Sequence, residues 1–228
     1  IAYNVKIMPV KAAMASGYLH QSDIARAILY AHQHGAQVIN MSFGGTASSI
    51  AVQDALAMAY ADCVLVASAG NDGAPNEGIG AIPNYPAALS YVLGVMSVGS
   101  DGRESGFSNY DTTPFNGVEY ELYAPGEYLL STIPGDGYAS WSGTSMAAPQ
   151  ITGMAALVAE YIKANGLDEQ TDYLKMLEKV ASHLRLHLNT DKMSVVLHEI
   201  AQQHARDVQR QHDKTCNHNG GVHLFGNI

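Results

Sequence analysis

Trp141-Ser142-Gly143-Thr144-Ser145-Met146-Ala147-Ala148-Pro149 runs directly into an apolar segment, Ile151 to Ile162. Gly143, Ala147, Ala148, Gly153, Ala155, Ala156 and Ala159 leave little bulk on any face, and Met154, Leu157, Val158 and Ile162 make the rest apolar. That composition predicts a buried central helix. In the first turn of a helix the backbone N–H groups have no carbonyl before them and the dipole is positive, so negative charge developing nearby is stabilised. Ser145 is therefore the candidate nucleophile. Pro149 has no N–H to give the Ser145 carbonyl, so that carbonyl is expected to lose its helical partner and the helix start to be distorted.

Working outward, Val5-Lys6-Ile7-Met8-Pro9-Val10 alternates and is rich in branched residues, which predicts a strand. After a loop over residues 11–21, Ser22 is the expected cap of a helix patterned by Ile24, Ala27, Ile28 and Ala31 and closed at Gly35. Val38 to Gly45 reads as a buried strand ending in glycines, and Ser48 or Ser49 caps a second helix through about Ala61. Val64-Leu65-Val66-Ala67 is the next strand and leads into Ser68-Ala69-Gly70-Asn71-Asp72-Gly73. Apolar strands alternating with helices and bounded by glycine imply an α/β fold, a mainly parallel sheet with helices on both faces.

Residues 74–140 are punctuated by Pro75, Pro83, Pro86, Pro114, Pro125 and Pro134, with strands expected at Val92 to Val98, Glu121 to Ala124 and Leu129 to Ile133. After Gly166 the composition shifts: Asp172 to Leu184 and Ser194 to His212 are amphipathic helical patterns that hold most of the histidines, and Gly220 to Asn227 reads as a turn and short strand. No repeat or linker marks a boundary. Residues 1–228 are read as one domain, with a helical, His-rich C-terminal extension over about 167–219.

With 47% hydrophobic residues in 228, the chain can bury one substantial core. A net charge of −9 with 14% charged residues argues against a nucleic-acid surface. No apolar run approaches the roughly 20 residues that span a bilayer. There is no charged-then-apolar leader and no initiating Met, which places Ile1 in mid-protein. Cys63 and Cys216 are too few to establish an oxidising compartment.

Two further blocks carry chemistry. Met41-Ser42-Phe43-Gly44-Gly45 suits a strand edge that accepts an added peptide strand, although two glycines after a buried strand equally suit a tight turn. Ala67-Ser68-Ala69-Gly70-Asn71 ends in a side-chain amide able to donate to an oxyanion, although Asn is also common in turns.

Gly143-Thr144-Ser145-Met146-Ala147-Ala148-Pro149 and these two blocks, in this order along the chain, resemble the subtilisin-like serine peptidases, the subtilase family. The resemblance implies that Ser145 is the nucleophile and that Asn71 joins the Ser145 N–H in the oxyanion hole. It implies further that Ser42, Phe43 and Gly44 bind the extended substrate, and that Ala67, Ser68, Ala69 and Gly70 wall the primary specificity pocket. A peptide or protein substrate, structural calcium and a secreted or extracytoplasmic location are also expectations from the family. Asp72, Asn76, Glu77, Asp101 and Asp111 are the candidate calcium donors, without the spacing of a dedicated loop.

The family order is Asp, His, Ser, and its Asp-Ser/Thr-Gly and His-Gly-Thr contexts are missing here. Asp23, Asp54, His20, His32 and His34 lack the flanking residues, and Gln150 stands where the family often has His. The resemblance thus covers about the C-terminal two thirds of the family domain. His183 and His187 are four apart, but Gln202 occupies the position where a His would complete a zinc helix from His198-Glu199, so no metal is assigned to the tail. Two readings follow. One is a serine endopeptidase whose Asp and His come from an N-terminal segment of the same protein, this chain alone being inactive. The other is a non-catalytic, subtilisin-like peptide-binding or regulatory fragment.

Overall fold

A computed structural model describes residues 1–112 and 120–165. The expected helices and strand beyond Gly166, the His-rich extension, Cys216 and Pro114 lie outside the described residues. The elements in order are α1 (Gln21–Gln33), β1 (Val38–Met41), α2 (Ile50–Ala59), β2 (Val64–Ser68), β3 (Leu93–Val98), β4 (Leu122–Pro125), β5 (Leu129–Ile133), β6 (Gly137–Trp141) and α3 (Thr144–Asn165).

Strands β1 to β4 form one sheet in chain order, every neighbour parallel. Alternation along β2 divides the core. Leu65 and Ala67 pack with Ile24 and Ile28 of α1 and Val52 and Leu56 of α2, while Val66 between them packs with Ala147, Ala148, Ile151 and Met154 of α3. Helices therefore cover both faces, as the sequence predicts, and α3 lies across all four strands. This helix is not buried all round: Ile151, Ala155, Val158 and Ile162 are enclosed, whereas Leu157 and Tyr161 are 37% and 49% exposed. The small residues let α3 sit close to the sheet, and the open stripe follows from the helical period.

Val5 to Val10 is not a strand. Its apolar side chains are open to solvent, Ile7 at 84%, and β1 stands at the sheet edge without pairing to it. Strand propensity yields a strand only where a neighbour takes up the backbone hydrogen bonds, and no described strand does so here. Helix α1 begins one residue before Ser22, with His20 as its N-cap and no side-chain cap, because the His20 carbonyl already receives the Asp23 and Ile24 N–H groups. Gly35, at φ +81°, ends it as expected. Strand β6 was not expected from sequence. Gly135 and Asp136, both at positive φ, turn the chain so that Leu129 pairs with Trp141 and Ile133 with Gly137, and the resulting hairpin delivers the chain into α3.

Candidate active site

Ser145 is the second residue of α3, at the end of the sheet where β1 and β2 terminate. Its Oγ donates to the Ser42 carbonyl at 3.2 Å, and the Ser42 Oγ donates to the Ser145 carbonyl at 2.9 Å. The second bond answers the consequence drawn from Pro149: the carbonyl that a proline N–H cannot satisfy is satisfied by a serine 103 residues away. The helix continues unbroken through Pro149. Behind Ser42 stands a relay in which Thr152 Oγ1 donates to Asn40 Oδ1 at 2.8 Å and Asn40 Nδ2 donates to Ser42 Oγ at 2.9 Å.

On the other side of Ser145, Asn71 follows the end of β2. Its Oδ1 accepts from the Thr144 N–H and from Thr144 Oγ1, both at 2.9 Å. Thr144 Oγ1 in turn accepts from the Gly70 N–H at 3.1 Å. Fixing Oδ1 in this way turns the other end of the amide, Nδ2, away from Thr144, and no described residue engages it. In the first turn of α3 the Thr144 N–H goes to Asn71, and the Met146 and Ala147 N–H groups go to the Gly143 carbonyl. That leaves the Ser145 N–H as the first-turn donor without a partner among the described residues. An unengaged backbone N–H and an oriented side-chain amide beside one hydroxyl suit a tetrahedral oxyanion.

The residues singled out from sequence come together. Ser42, Phe43 and Gly44 follow β1, with Ser42 bonded to Ser145, while Ala67, the partner of Met41, leads through Ser68, Ala69 and Gly70 to Asn71. Gly44 has a packing reason as well: a Cβ there would meet the Asn84 side chain at 2.3 Å. Gly45 exchanges two backbone hydrogen bonds with Tyr85, an isolated antiparallel bridge within the chain. A cavity of about 320 Å³ opens beside this segment, lined by Leu19, Ile24, Phe43, Val52, Tyr85 and Leu89 among others.

Sequence reasoning did not find Thr144, Asn84 or Asn109, all buried and all bonded to site backbone. Thr144 lay within the motif. Nothing local to Asn84 or Asn109 signals partners 16 to 40 residues away.

Of the described histidines, His34 bonds the Tyr30 carbonyl and stacks on that ring, His32 faces Asp62 and Cys63, and His20 lies against Tyr18. None is hydrogen-bonded to Ser145. Asp23 pairs with Arg26 on α1, and Asp54 lies within α2. The Cys63 thiol is pushed up to about 11, first by burial and then by the Asp62 carboxylate, which makes it a poor nucleophile. The calcium donors expected from sequence are already engaged in part. Asn76 Oδ1 accepts from Thr112, and Asp101 accepts from the Arg103 N–H. No group of three His, Cys, Asp or Glu side chains near enough to hold a metal occurs among the described residues. No described helix is long and apolar enough to cross a membrane.

The geometry thus places a serine at the start of the central helix of a parallel α/β sheet, between the end of β1 and the Asn71 amide. The family model for the subtilase family matches residues 1–214, and the chain belongs to that family. It is 40% identical over 159 residues to Subtilisin DY of Bacillus licheniformis, covering 69% of this chain and 55% of that protein. Thermitase of Thermoactinomyces vulgaris is 38% identical over 159 residues, with 69% and 53% covered. Among solved structures, a cold adapted subtilisin-like serine proteinase superposes with a TM-score of 0.61 at 32% identity, covering 72% of this chain and 56% of that one. The chain thus spans about half the length of these relatives.

Proposed function

We propose that this chain carries the nucleophile, oxyanion hole and substrate strand of a serine endopeptidase. Ser145 Oγ attacks the peptide carbonyl as a base takes its proton, and Asn71 Nδ2 and the Ser145 N–H hold the oxyanion. The C–N bond breaks as that proton passes to the leaving amine, and water then cleaves the acyl-enzyme ester to release the acid and restore the Ser145 hydroxyl. The observation that carries this reading is the grip of Thr144 on Asn71 Oδ1, which orients the amide so that its donor end is the one left available. An extended peptide would run along Ser42 to Gly44, with Ala67 to Gly70 as the wall of its primary pocket. The cavity beside Phe43 would receive an apolar side chain.

The general base and its carboxylate are assigned to a segment preceding Ile1 in a longer protein. In support, Ser145 Oγ donates to a backbone carbonyl, which accepts a hydrogen bond but does not remove the proton. Calcium enters no step of this reading, and an unchanged melting temperature in EDTA would remove it altogether. An extracytoplasmic location goes with the family and is tested by finding the natural protein outside the cell.

A serine-reactive phosphonate probe tests the proposal. The 228-residue chain alone should label at Ser145 slowly, and addition of the preceding segment should make labelling fast and stoichiometric. Fast labelling of the chain alone would refute an external base. Failure to label Ser145 with the segment present would favour the second reading, a non-catalytic peptide-binding fragment.

A further inference from the structure

Asn109 is wholly buried and makes more polar contacts with the Asn71 loop than any residue of the nucleophile motif does. It comes from a different part of the chain, the loop after β3, which runs alongside residues 70–76. The Gly73 N–H donates to the Phe107 carbonyl at 2.9 Å, and the Tyr110 N–H donates to the Ala74 carbonyl at 3.1 Å. Between those two bonds the Asn109 side chain reaches across. Its Oδ1 accepts from the N–H groups of Asp72 at 2.9 Å and Ala74 at 3.2 Å. Its Nδ2 donates to the Ala69 carbonyl at 3.0 Å and approaches the Ile82 carbonyl at 3.3 Å and Asp72 Oδ2 at 3.4 Å. Its backbone N–H donates to the Gly70 carbonyl at 3.0 Å.

These partners bracket Asn71: Ala69 and Gly70 precede it and Asp72 follows it. Gly70 completes the bracket, because it holds φ +105° and a Cβ there would stand 2.4 Å from Asn109 Nδ2. Asn71 is thus held by two anchors. Thr144 fixes its side chain, and Asn109 fixes the backbone from which that side chain projects. An oxyanion donor works when it is held about 2.7–3.1 Å from where the charge develops, and a misplacement of about 1 Å can cost about 100-fold in rate, so the backbone anchor bears directly on rate.

We propose that Asn109 is a positioning residue for the oxyanion site, acting through Asn71 without touching substrate. The proposal rests on the peptidase reading above. It is tested by kinetics on the longer natural protein with a chromogenic peptide anilide. Asn109→Ala should lower kcat by about 10- to 100-fold and leave KM within about twofold, the scale of a small misplacement of a catalytic group. With Asn71→Ala already present, the same change should cost less than about twofold, because the group it positions is gone. The full loss persisting in that background, or a loss carried by KM, would overturn the proposal.

Asn109→Ser serves where the Ala variant does not fold, since it adds no buried charge and keeps a hydroxyl able to donate or accept among the same backbone groups. The same dependence on Asn71 is expected of it, and failure of both variants to fold would make Asn109 structural and sink the idea. Ser145→Ala, run alongside, separates the two readings. Activity that survives it refutes the peptidase itself, whereas normal dependence on Ser145 with unchanged kcat in the Asn109 variants refutes only the positioning role.

Discussion

The two sides of Ser145 are built differently. Toward Asn71, contacts come from three separate segments, the end of β2, the loop after β3 and the start of α3, and they close on one another through Thr144, Gly70 and Asn109. Toward β1, both the Ser145 hydroxyl and the Ser145 carbonyl depend on a single residue, Ser42, next to a strand whose outer edge has no neighbouring strand among the described residues. The first side can stabilise negative charge without rearrangement. The second engages the hydroxyl with a backbone carbonyl, and no described histidine or carboxylate is bonded to it. The difference teaches that charge stabilisation and proton removal are separable parts of such a site, and that one can be preorganised while the other is not.

The largest effect that would test this division is loss of the Asn71 amide. In the active, longer protein Asn71→Ala should lower kcat by about 10²–10³-fold with little change in KM, the size known for removal of the corresponding donor in subtilisin. Steady-state kinetics decide it. A loss confined to KM would mean that Asn71 binds ground-state substrate, and the contrast between the two sides would collapse.

A smaller effect is expected at the junction where the substrate edge meets the pocket wall. A Gly44→Ala methyl would stand 2.3–2.6 Å from the Asn84 amide, which is itself tied to the Ser68 carbonyl at 2.8 Å. Overpacking of this kind costs about 1–3 kcal/mol. Chemical denaturation should show that loss in an otherwise normal protein, and Asn84→Ala should relieve most of it. An unrelieved loss would locate the need for glycine at position 44 in the backbone and not in this contact.

How much of this could be read from the chain follows from the range of the interactions involved. Helix α3 and β2 were legible because burial imposes local patterns, and Pro149 even announced which carbonyl would need an outside donor. The buried strand read over Val38 to Gly45 is instead a shorter edge strand, Val38–Met41, with only Met41 buried. The strand expected at Val5 to Val10 was wrong because a local pattern cannot report whether a pairing partner exists. Asn84 and Asn109 were invisible for a related reason: each looks like a turn residue, and only the fold reveals that its amide reaches backbone atoms of the site. The site's types of residue are therefore written in three short motifs, while the groups that hold them in place are scattered.

The smallest expected effect lies on the β1 side. Ser42→Ala removes the donor to the Ser145 carbonyl and leaves that carbonyl without its protein partner, since Pro149 still has no N–H. The site is only part-buried, so water can replace the hydroxyl, and the cost should be about 1 kcal/mol of stability. The relay from Thr152 through Asn40 ends at this hydroxyl, and the same substitution leaves Asn40 Nδ2 facing an apolar methyl. Because Ser42 offers its backbone carbonyl and not its side chain to the Ser145 hydroxyl, the bond at 3.2 Å survives the change. Turnover should accordingly fall by no more than about threefold while the thermal midpoint drops by about 2–4 °C, as expected for about 1 kcal/mol in a domain of this size. A loss of turnover approaching that of Asn71→Ala would show that the start of α3 is held in register from the β1 side as firmly as from the Asn71 side, and the two sides would no longer differ in the way their hydrogen bonds imply.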